Sequence, residues 1–325
     1  MRSLLCATVL LILGAPVLAQ SGNYPNRPVR LIVPFPPGGA ADLGARVLAQ
    51  PLQEAWGQSV VVENRGGSSG IAASELAAKA TPDGYTLFLA TDGPFVVNPF
   101  MFKNLPYDPV RDFTPISLVA LVPSALFVTS ELVPSTSLAE FVEFVRAQPG
   151  KINYASAGNG SPHHLAMETL KARAGIDLNQ IPYKGGAPAM QDVVAGRVHA
   201  VFGGLSSMFT YMTAVRAGKV RVFGVSTARR STLAPEVPTI GEQGYAGFEV
   251  NAWMAVVTPK GTPAAINQQL ERDVVKVAQS ETFRTRMAAT GSEPVGSSAE
   301  ELRAMIEREL DRNGKLIRSL NIRPE

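Results

Sequence analysis

Cysteine is almost absent from this chain of 325 residues, since the single one, Cys6, lies in the apolar stretch at the N-terminus. The sequence after that stretch can form neither disulfide bonds nor thiol chemistry. Only three histidines occur, and none has a second histidine or a cysteine at the spacing of a zinc site. We therefore predict no metal centre and no cofactor.

Charge is also sparse, because Asp, Glu, Lys and Arg make up only 18% of the residues and the formal net charge is +3. The basic residues are scattered and are not interleaved with aromatic residues, so a nucleic-acid partner is not expected. In contrast, the sequence is rich in turn formers, with 29 glycines and 25 prolines. This composition favours an α/β protein with many short connections.

The N-terminus has the pattern of a secretory signal peptide. Met1-Arg2-Ser3 precedes an apolar core from Leu4 to Leu13, and small residues around Ala19 suit cleavage there. This core is too short for a permanent transmembrane helix, and no later stretch is long and apolar enough to span. We predict that residues 1–19 are removed and that the mature protein is soluble and exported, with a core large enough to need no disulfide bonds.

Short apolar runs alternate with helical patterns after Pro25. Val29–Val33, Val60–Glu63 and Tyr85–Ala90 are predicted strands with helices between them, which implies a parallel sheet covered by helices. The loops that follow these strands would meet at one edge of the sheet. Ligands of open α/β sheets bind at that edge.

Two apolar segments are long enough to cross between lobes. Ile116–Val128, broken by Pro123, is the first, and Lys219–Ser226 is the return. We therefore predict a discontinuous lobe 1 (24–122 and 228–325) and an inserted lobe 2 (123–227).

Local signals place several helix starts. Ser137–Glu140 and Ser298–Glu301 have the pattern of capping motifs, and Thr262-Pro263 predicts a helix with proline at its first position.

The segment from Pro34 to Asp42 joins a buried strand to a helix through two glycines. Such a loop can turn backbone N–H groups inward, and the first amides of a helix lack intrahelical partners, so together they favour a carboxylate or phosphate. An ordinary βα turn explains this loop alone equally well. A second glycine loop, Ser156–Ser161, follows another strand. The presence of two such loops favours an anion site shared by both loops over two ordinary turns.

The predicted ligand-binding residues lie at these loops and at neighbouring strand ends. They are Phe35, Gly38, Gly39, Ala40, Ala41, Asp42, Ser68, Ser69, Thr91, Asp92, Ser156, Gly158, Asn159, Gly160, Ser161, Tyr183, Lys184 and Gly204. Several have an alternative structural role. Asp42 satisfies amides of its own first turn more readily than it acts in catalysis. Ser161 can cap its helix, bind the ligand, or do both. Phe35 can lie over the ligand or pack against the protein interior. Lys184 can pair with a distal carboxylate of the ligand or be solvated.

Motifs in order along nearly the whole chain resemble those of the Bordetella-uptake-gene (Bug) family of periplasmic receptors for tripartite tricarboxylate transporters. They include Pro34-Phe35-Pro36-Pro37-Gly38-Gly39, Val62-Glu63-Asn64-Arg65, Pro82-Asp83-Gly84-Tyr85, Leu105-Pro106-Tyr107-Asp108-Pro109, Tyr154-Ala155-Ser156, Pro182-Tyr183-Lys184-Gly185, Gly218-Lys219-Val220-Arg221 and Val237-Pro238-Thr239. The resemblance implies a two-lobe type II periplasmic-binding-protein fold, each lobe a mostly parallel sheet flanked by helices, with two crossing hinge strands. It also implies a small carboxylate between the lobes, held by the loops at Phe35–Asp42 and Ser156–Ser161. Thr91-Asp92-Gly93 departs from the family pattern, since an acid there is awkward beside an anionic ligand.

The expected function is a monomeric periplasmic receptor of a Gram-negative bacterium that captures an organic acid by hinge closure. It would deliver the acid to inner-membrane permease subunits, or, alternatively, signal to a membrane sensor kinase without transport. An enzyme is the less favoured class, with no catalytic residues assigned. Ser161 and His164 lie outside any Gly-x-Ser-x-Gly elbow, and the first loop lacks a dinucleotide-binding motif.

Overall fold

The structure of the protein is a computed structural model, and it describes residues 24–319. The predicted signal peptide and Cys6 lie outside the described residues. Among the described helices, none combines the length and apolar character that crossing a membrane requires.

Strands from both ends of the chain form the first sheet. Within residues 24–319 its strands are β1 (Val29–Val33), β2 (Val60–Asn64), β3 (Thr86–Thr91), β4 (Phe113–Val122), β10 (Ala252–Pro259) and β11 (Glu293–Pro294). The order across the sheet is β11-β4-β10-β3-β1-β2. The three predicted N-terminal strands are confirmed, each within one residue of its predicted ends.

The middle of the chain forms the second sheet. Its described strands are β5 (Ser124–Thr129), β6 (Asn153–Ser156), β7 (Asn179–Pro182), β8 (Ala200–Gly204) and β9 (Val220–Val225). The order is β7-β6-β8-β5-β9. The apolar segment around Pro123 is thus two strands, one in each sheet.

Most strands of each sheet run in one direction, as expected, and a minority run antiparallel to them. β1 pairs in parallel with β2 and β3, whereas β10 runs antiparallel to both β3 and β4. In the second sheet β6 is parallel to β7 and β8, and β5 is antiparallel to β8 and β9. β5 and β10, the strands that the chain enters directly after each crossing, therefore run against most strands of their sheets, as does the short β11.

Helices cover the sheets, as the alternating pattern predicts. Their bounds in the described part are α1 (Ala40–Trp56), α2 (Ile71–Ala78), α3 (Asn98–Met101), α4 (Leu138–Arg146), α5 (Pro162–Ala174), α6 (Gly186–Val194), α7 (Ser206–Thr210), α8 (Met212–Arg216), α9 (Ala264–Ala278), α10 (Glu281–Ala289) and α11 (Ala299–Ser319). Central strands such as β3 are buried on both faces, which explains their uninterrupted apolar sequence.

Helix capping follows the sequence closely. The amide of Glu140 donates to Ser137 Oγ at 3.2 Å, and the amide of Glu301 donates to Ser298 Oγ at the same distance. Both predicted capping motifs are therefore confirmed. Pro263 lies one position earlier than predicted, because it is the N-cap of α9 rather than its first helical residue.

A small polar cluster marks the two crossings between sheets. The chain leaves the first sheet at Pro123 and returns to it through Asn251. Ser226 Oγ lies 3.0 Å from the carbonyl oxygen of Ser124 and 2.8 Å from Asn251 Oδ1, and all three residues are buried. These hydrogen bonds tie the outgoing chain to the returning chain at one point between the sheets.

The segment 228–250, assigned from the sequence to lobe 1, packs against the second sheet. Ile240 donates its amide to the carbonyl of Val225 at 2.9 Å. The ring of Phe248 stacks on Phe202 of β8 with centroids 5.8 Å apart. We therefore propose that lobe 2 extends to residue 250.

Candidate ligand-binding site

A cavity of about 790 Å³ opens between the two sheets. Loops after β1 and β3 and the start of β10 line it from the first sheet, and the loop before α5 lines it from the second. Its walls are formed by Phe35, Pro36, Pro37, Gly39, Ala40, Ala41, Ser69, Thr91, Asp92, Gly93, Val97, Asn98, Met101, Phe102, Val122, Ala157, Asn159, Gly160, Ser161, Pro162, Ala252, Trp253 and Met254. The glycine loops of both halves thus face one shared space.

The first loop presents the N-terminus of α1 to the cavity. Gly38 has φ +88°, in the left-handed region that glycine favours, and Gly39 is the extended N-cap. Gly39, Ala40 and Ala41 all line the cavity. Because the first amides of a helix have no intrahelical acceptor and the helix dipole is positive there, this end of the cavity suits an anion.

Asp42 supports this loop and does not line the cavity. Its Oδ2 accepts the amide of Gly38 at 2.9 Å, and its Oδ1 accepts Arg46 Nε at 3.0 Å. Burial alone would raise the pKa of the Asp42 carboxyl, but hydrogen bonds from Arg46, Gly38 and Asn64 outweigh burial and hold that pKa below its ordinary value. The side chain is therefore an ionised structural acceptor, as expected from its place in the first turn.

The second loop satisfies most of its own donors. The amide of Gly158 donates to Ser156 Oγ at 3.3 Å, and the amide of Gly160 donates to His164 Nδ1 at 3.0 Å. Ser161 Oγ donates to the carbonyl of Gly158 at 2.7 Å and accepts the amide of His164 at 3.3 Å. Burial lowers the pKa of His164 and so favours the neutral ring that accepts this bond. The cap role of Ser161 is confirmed.

Two features of the second loop still face the cavity. Asn159 is exposed at the tip of the loop, where its side-chain amide can donate a hydrogen bond. Gly160, with φ +71°, lies against the opposite wall: a Cβ placed there would be 3.4 Å from Met101 Cε and 3.5 Å from Val97 Cγ1. The backbone at Gly160 therefore makes a close contact between the two halves.

The loop after β2 contributes a residue in an unusual conformation. Ser69 lines the cavity with φ 52° and ψ 31°, left-handed values that cost a non-glycine residue about 1–3 kcal/mol. The buried side chain of Asn98 donates to the carbonyl of Ser69 at 3.0 Å and helps to fix this conformation.

Thr91, at the end of β3, also lines the cavity. Its Oγ1 atom is buried and has no hydrogen-bond partner among the described residues.

Asp92 is the only ionisable residue among the described residues that line the cavity. It directly follows β3 and is partly exposed. Loss of hydration, together with the negative charge of Glu309, raises the pKa of the Asp92 carboxyl to about 7. Hydrogen bonds from the backbone amides of Trp253, Asp92 and Gly93 act in the opposite direction, because they favour the ionised carboxylate. Glu309 is buried and accepts Trp253 Nε1 at 2.8 Å.

Several predicted site residues lie outside the lining. Ser156 is buried and accepts Gln180 Nε2 at 2.7 Å, and Tyr183 donates its hydroxyl to Asp192 at 2.7 Å. Lys184 is exposed, and Gly204 pairs with Ser124 in the second sheet. Ser68 begins a short 3-10 turn, and because its side chain is outside the described part of the structure, its role stays a prediction. Gly38, Asp42 and Gly158 lie behind lining residues of their own loops.

The sequence reasoning missed the apolar wall. Val97, Met101, Phe102, Trp253 and Met254 line the cavity, yet each looks like an ordinary core residue in the sequence. Trp253, one of only two tryptophans, is the second residue of β10 and was the one available signal. The cavity therefore combines an amide-lined end with a hydrophobic wall, as small-molecule sites commonly do.

Two mixed α/β lobes with a ligand-sized cavity between them define a solute-binding protein of the type II periplasmic-binding fold. The profile of the tripartite tricarboxylate transporter family receptors matches residues 44–322. The chain therefore belongs to this receptor family, as the motifs of the sequence indicated.

Individual relatives agree with this assignment. Protein BugT of Bordetella pertussis is 38% identical over 307 residues, which are 94% of this chain and 92% of BugT. The structure of R. palustris Rpa4515 with adipate is 36% identical with a TM-score of 0.78, and the match covers 93% of this chain and 100% of that one. MatC from Rhodopseudomonas palustris with bound malate is 30% identical with a TM-score of 0.71, covering 90% and 100%.

Proposed function

We propose that this protein is a periplasmic receptor that captures a small organic carboxylate between its lobes and delivers it to a tripartite membrane permease. The observation that carries the proposal is the start of α1, where Gly39, Ala40 and Ala41 present helix N-terminal amides to the shared cavity. The relatives whose solved structures hold adipate and malate support the same ligand class.

The energetics of such a site are favourable without a cationic side chain. Hydrogen bonds from amides to a carboxylate are charge-assisted and contribute about 1.5–3 kcal/mol each in a site shielded from water. A few of them, with apolar contacts to the wall, are enough for micromolar binding, which needs about 8 kcal/mol. Neutral donors also leave no unpaired cation buried when the site is empty.

Closure of the lobes supplies the shielding in this proposal. The crossings at Pro123 and Asn251, joined through Ser226, are the natural hinge, and Gly160 closes against Val97 and Met101. The first lobe then binds the carboxylate, while the second lobe excludes water and adds Asn159.

The experiment is a thermal-shift screen of the mature protein against mono-, di- and tricarboxylates, aromatic acids and amino acids, followed by calorimetry of each compound that raises the melting temperature. We expect stabilisation by a restricted set of carboxylates and none by their amides or methyl esters. Stabilisation by neutral analogues equal to that by the acids would contradict the proposal.

Delivery and location are tested separately. We expect the N-terminus of the exported protein to be Gln20, and the loaded receptor to co-purify with permease subunits from detergent extracts. Co-purification with a sensor kinase instead, and unchanged uptake of the acid in a deletion strain, would support the signalling alternative.

A further inference from the structure

We propose that Asp92 gives the cavity a cation-accepting end, so that the solute is a carboxylate that also carries a protonated amine. This inference rests on the proposed function and narrows its ligand class. The observations that carry it are the placement of one carboxyl group in the cavity, the groups behind it, and its position relative to the amides of α1.

The described lining of the cavity carries one acidic side chain and no basic side chain. Among the described lining residues Asp92 is the single ionisable group, and within residues 24–319 no lysine, arginine or histidine forms an ion pair with it. A carboxylate that has lost hydration and has no counter-charge is costly, so such groups are normally paired with a cation. The missing partner can come from the solute.

The surroundings of Asp92 strengthen the negative end rather than neutralise it. Glu309 of α11 adds a second buried acid, whose carboxylate accepts Trp253 Nε1 and lies 3.5 Å from Arg312. Arg312 is itself engaged with the carbonyl of Glu249. The backbone amides of Gly93 and Trp253 favour ionised Asp92. The local field therefore selects a cation or a strong hydrogen-bond donor.

The positive and negative ends come from neighbouring strands. β1 leads into the loop with Gly39 and Ala40, β3 leads into Asp92, and these two strands are paired, with Ile32 opposite Phe88. Gly39, Ala40 and Asp92 line the same cavity, so one solute that carries both a carboxylate and an ammonium group can contact both ends.

Thr91 supports the same geometry. This residue lines the cavity and immediately precedes Asp92, and its buried hydroxyl has no partner among the described residues. A hydroxyl oxygen accepts a hydrogen bond as well as donating one. If the Thr91 side chain turns towards the cavity, an ammonium group, with three donors, can bond both the Asp92 carboxylate and Thr91 Oγ1.

The test compares three compound series by calorimetry near pH 8, where Asp92 is ionised. The ω-amino acids from glycine to 6-aminohexanoate are matched in methylene number with dicarboxylates from malonate to pimelate and with fatty acids from propanoate to heptanoate. We expect at least one amino acid to bind more than about tenfold tighter than both of its matched partners, which equals about 1.4 kcal/mol. These affinity ratios are measured on the protein without any substitution, so they do not depend on whether a variant folds.

Asp92→Asn is then measured beside Asp83→Asn, which removes the same charge from a partly exposed residue that precedes β3 and pairs with Arg27. We expect Asp92→Asn to abolish the preference for the amine, and Asp83→Asn to leave that preference unchanged. Melting curves of both variants establish that they are folded.

The outcomes separate the two proposals. If dicarboxylates bind tighter than their matched amino acids and Asp92→Asn leaves that ratio unchanged, the role of Asp92 is wrong while carboxylate capture stands. If no member of the three series binds and the wider acid screen is also blank, both proposals fail.

Discussion

The two glycine loops of the cavity look alike in the sequence but use their donors differently. The loop before α1 gives one amide, that of Gly38, to Asp42 and presents the following helix-start amides to the cavity. The loop before α5 ties the amides of Gly158 and Gly160 to Ser156 and His164. A glycine-rich strand-to-helix loop therefore does not by itself identify an anion site. The deciding feature is whether the backbone amides of the loop already donate hydrogen bonds to side chains of the protein.

The largest expected effect concerns closure by the second loop. Gly160→Leu places a side chain against Val97 and Met101 and should weaken carboxylate binding at least about a hundredfold, because the lobes can no longer approach. Gly175→Leu is the control, since Gly175 has φ +61° at the other end of α5 and open space around it. Both variants place leucine at a positive φ, so backbone strain is present in each. Equal affinity in the two variants by calorimetry would show that the contact at Gly160 is not needed for binding.

A second prediction concerns the acid beside the first loop. The pKa of Asp92 is raised from 3.8 to about 7 by burial and by Glu309, so the folded protein holds a proton that the unfolded chain has already lost between these pH values. The contribution of this group to stability is therefore greatest below pH 4 and declines as the pH rises to 7. Asp92→Asn should therefore stabilise the protein near pH 8 and much less near pH 4. The pKa shift corresponds to at most about 4 kcal/mol, which partial exposure of Asp92 reduces.

Denaturant unfolding at the two pH values measures this difference. Glu309 and Arg312 on α11 are nearby charged groups that could also contribute to the pH dependence of stability, and both remain in the variant. A stability difference between the variant and the parent protein that does not change with pH would mean that Asp92 has an ordinary pKa.

The smallest expected effect concerns Ser161. Because its hydroxyl is already bonded within the second loop, Ser161→Ala should cost about 1 kcal/mol of stability and change ligand affinity less than threefold. Ser280→Ala is a close match, since Ser280 Oγ caps α10 with the same distances, 2.7 Å to a carbonyl and 3.3 Å to an amide. A loss of affinity above tenfold in Ser161→Ala alone would make Ser161 a ligand group and remove the contrast between the loops.

What could be predicted from the sequence was local. The strand at Val29–Val33, the caps at Ser137 and Ser298 and the helix start after Gly39 each depend on neighbours within a few positions. These features are fixed by periodicity and by side-chain acceptors that reach the first turn.

What could not be predicted depends on partners distant in the chain. The antiparallel pairing of β10 with β3 joins residues more than a hundred positions apart, and it brings Trp253 beside Asp92. The same holds for the contact of Gly160 with Val97 and Met101. The bond from Gly160 to His164 spans only four residues, but the sequence does not distinguish an amide that binds its own helix from one that binds a ligand.

The central claim is that backbone amides at the start of α1 bind the carboxylate. Ala40→Pro tests it directly, because proline is tolerated at the first helical position, fits after the extended Gly39, and removes one N–H from the cavity. Glu281→Pro is the control, at the first position of α10 after the extended Ser280. The measurement is the affinity of both variants for the tightest carboxylate of the screen. We predict a loss of about ten- to a hundredfold for Ala40→Pro and no loss for Glu281→Pro. Unchanged affinity in Ala40→Pro, with the fold intact, would contradict the account.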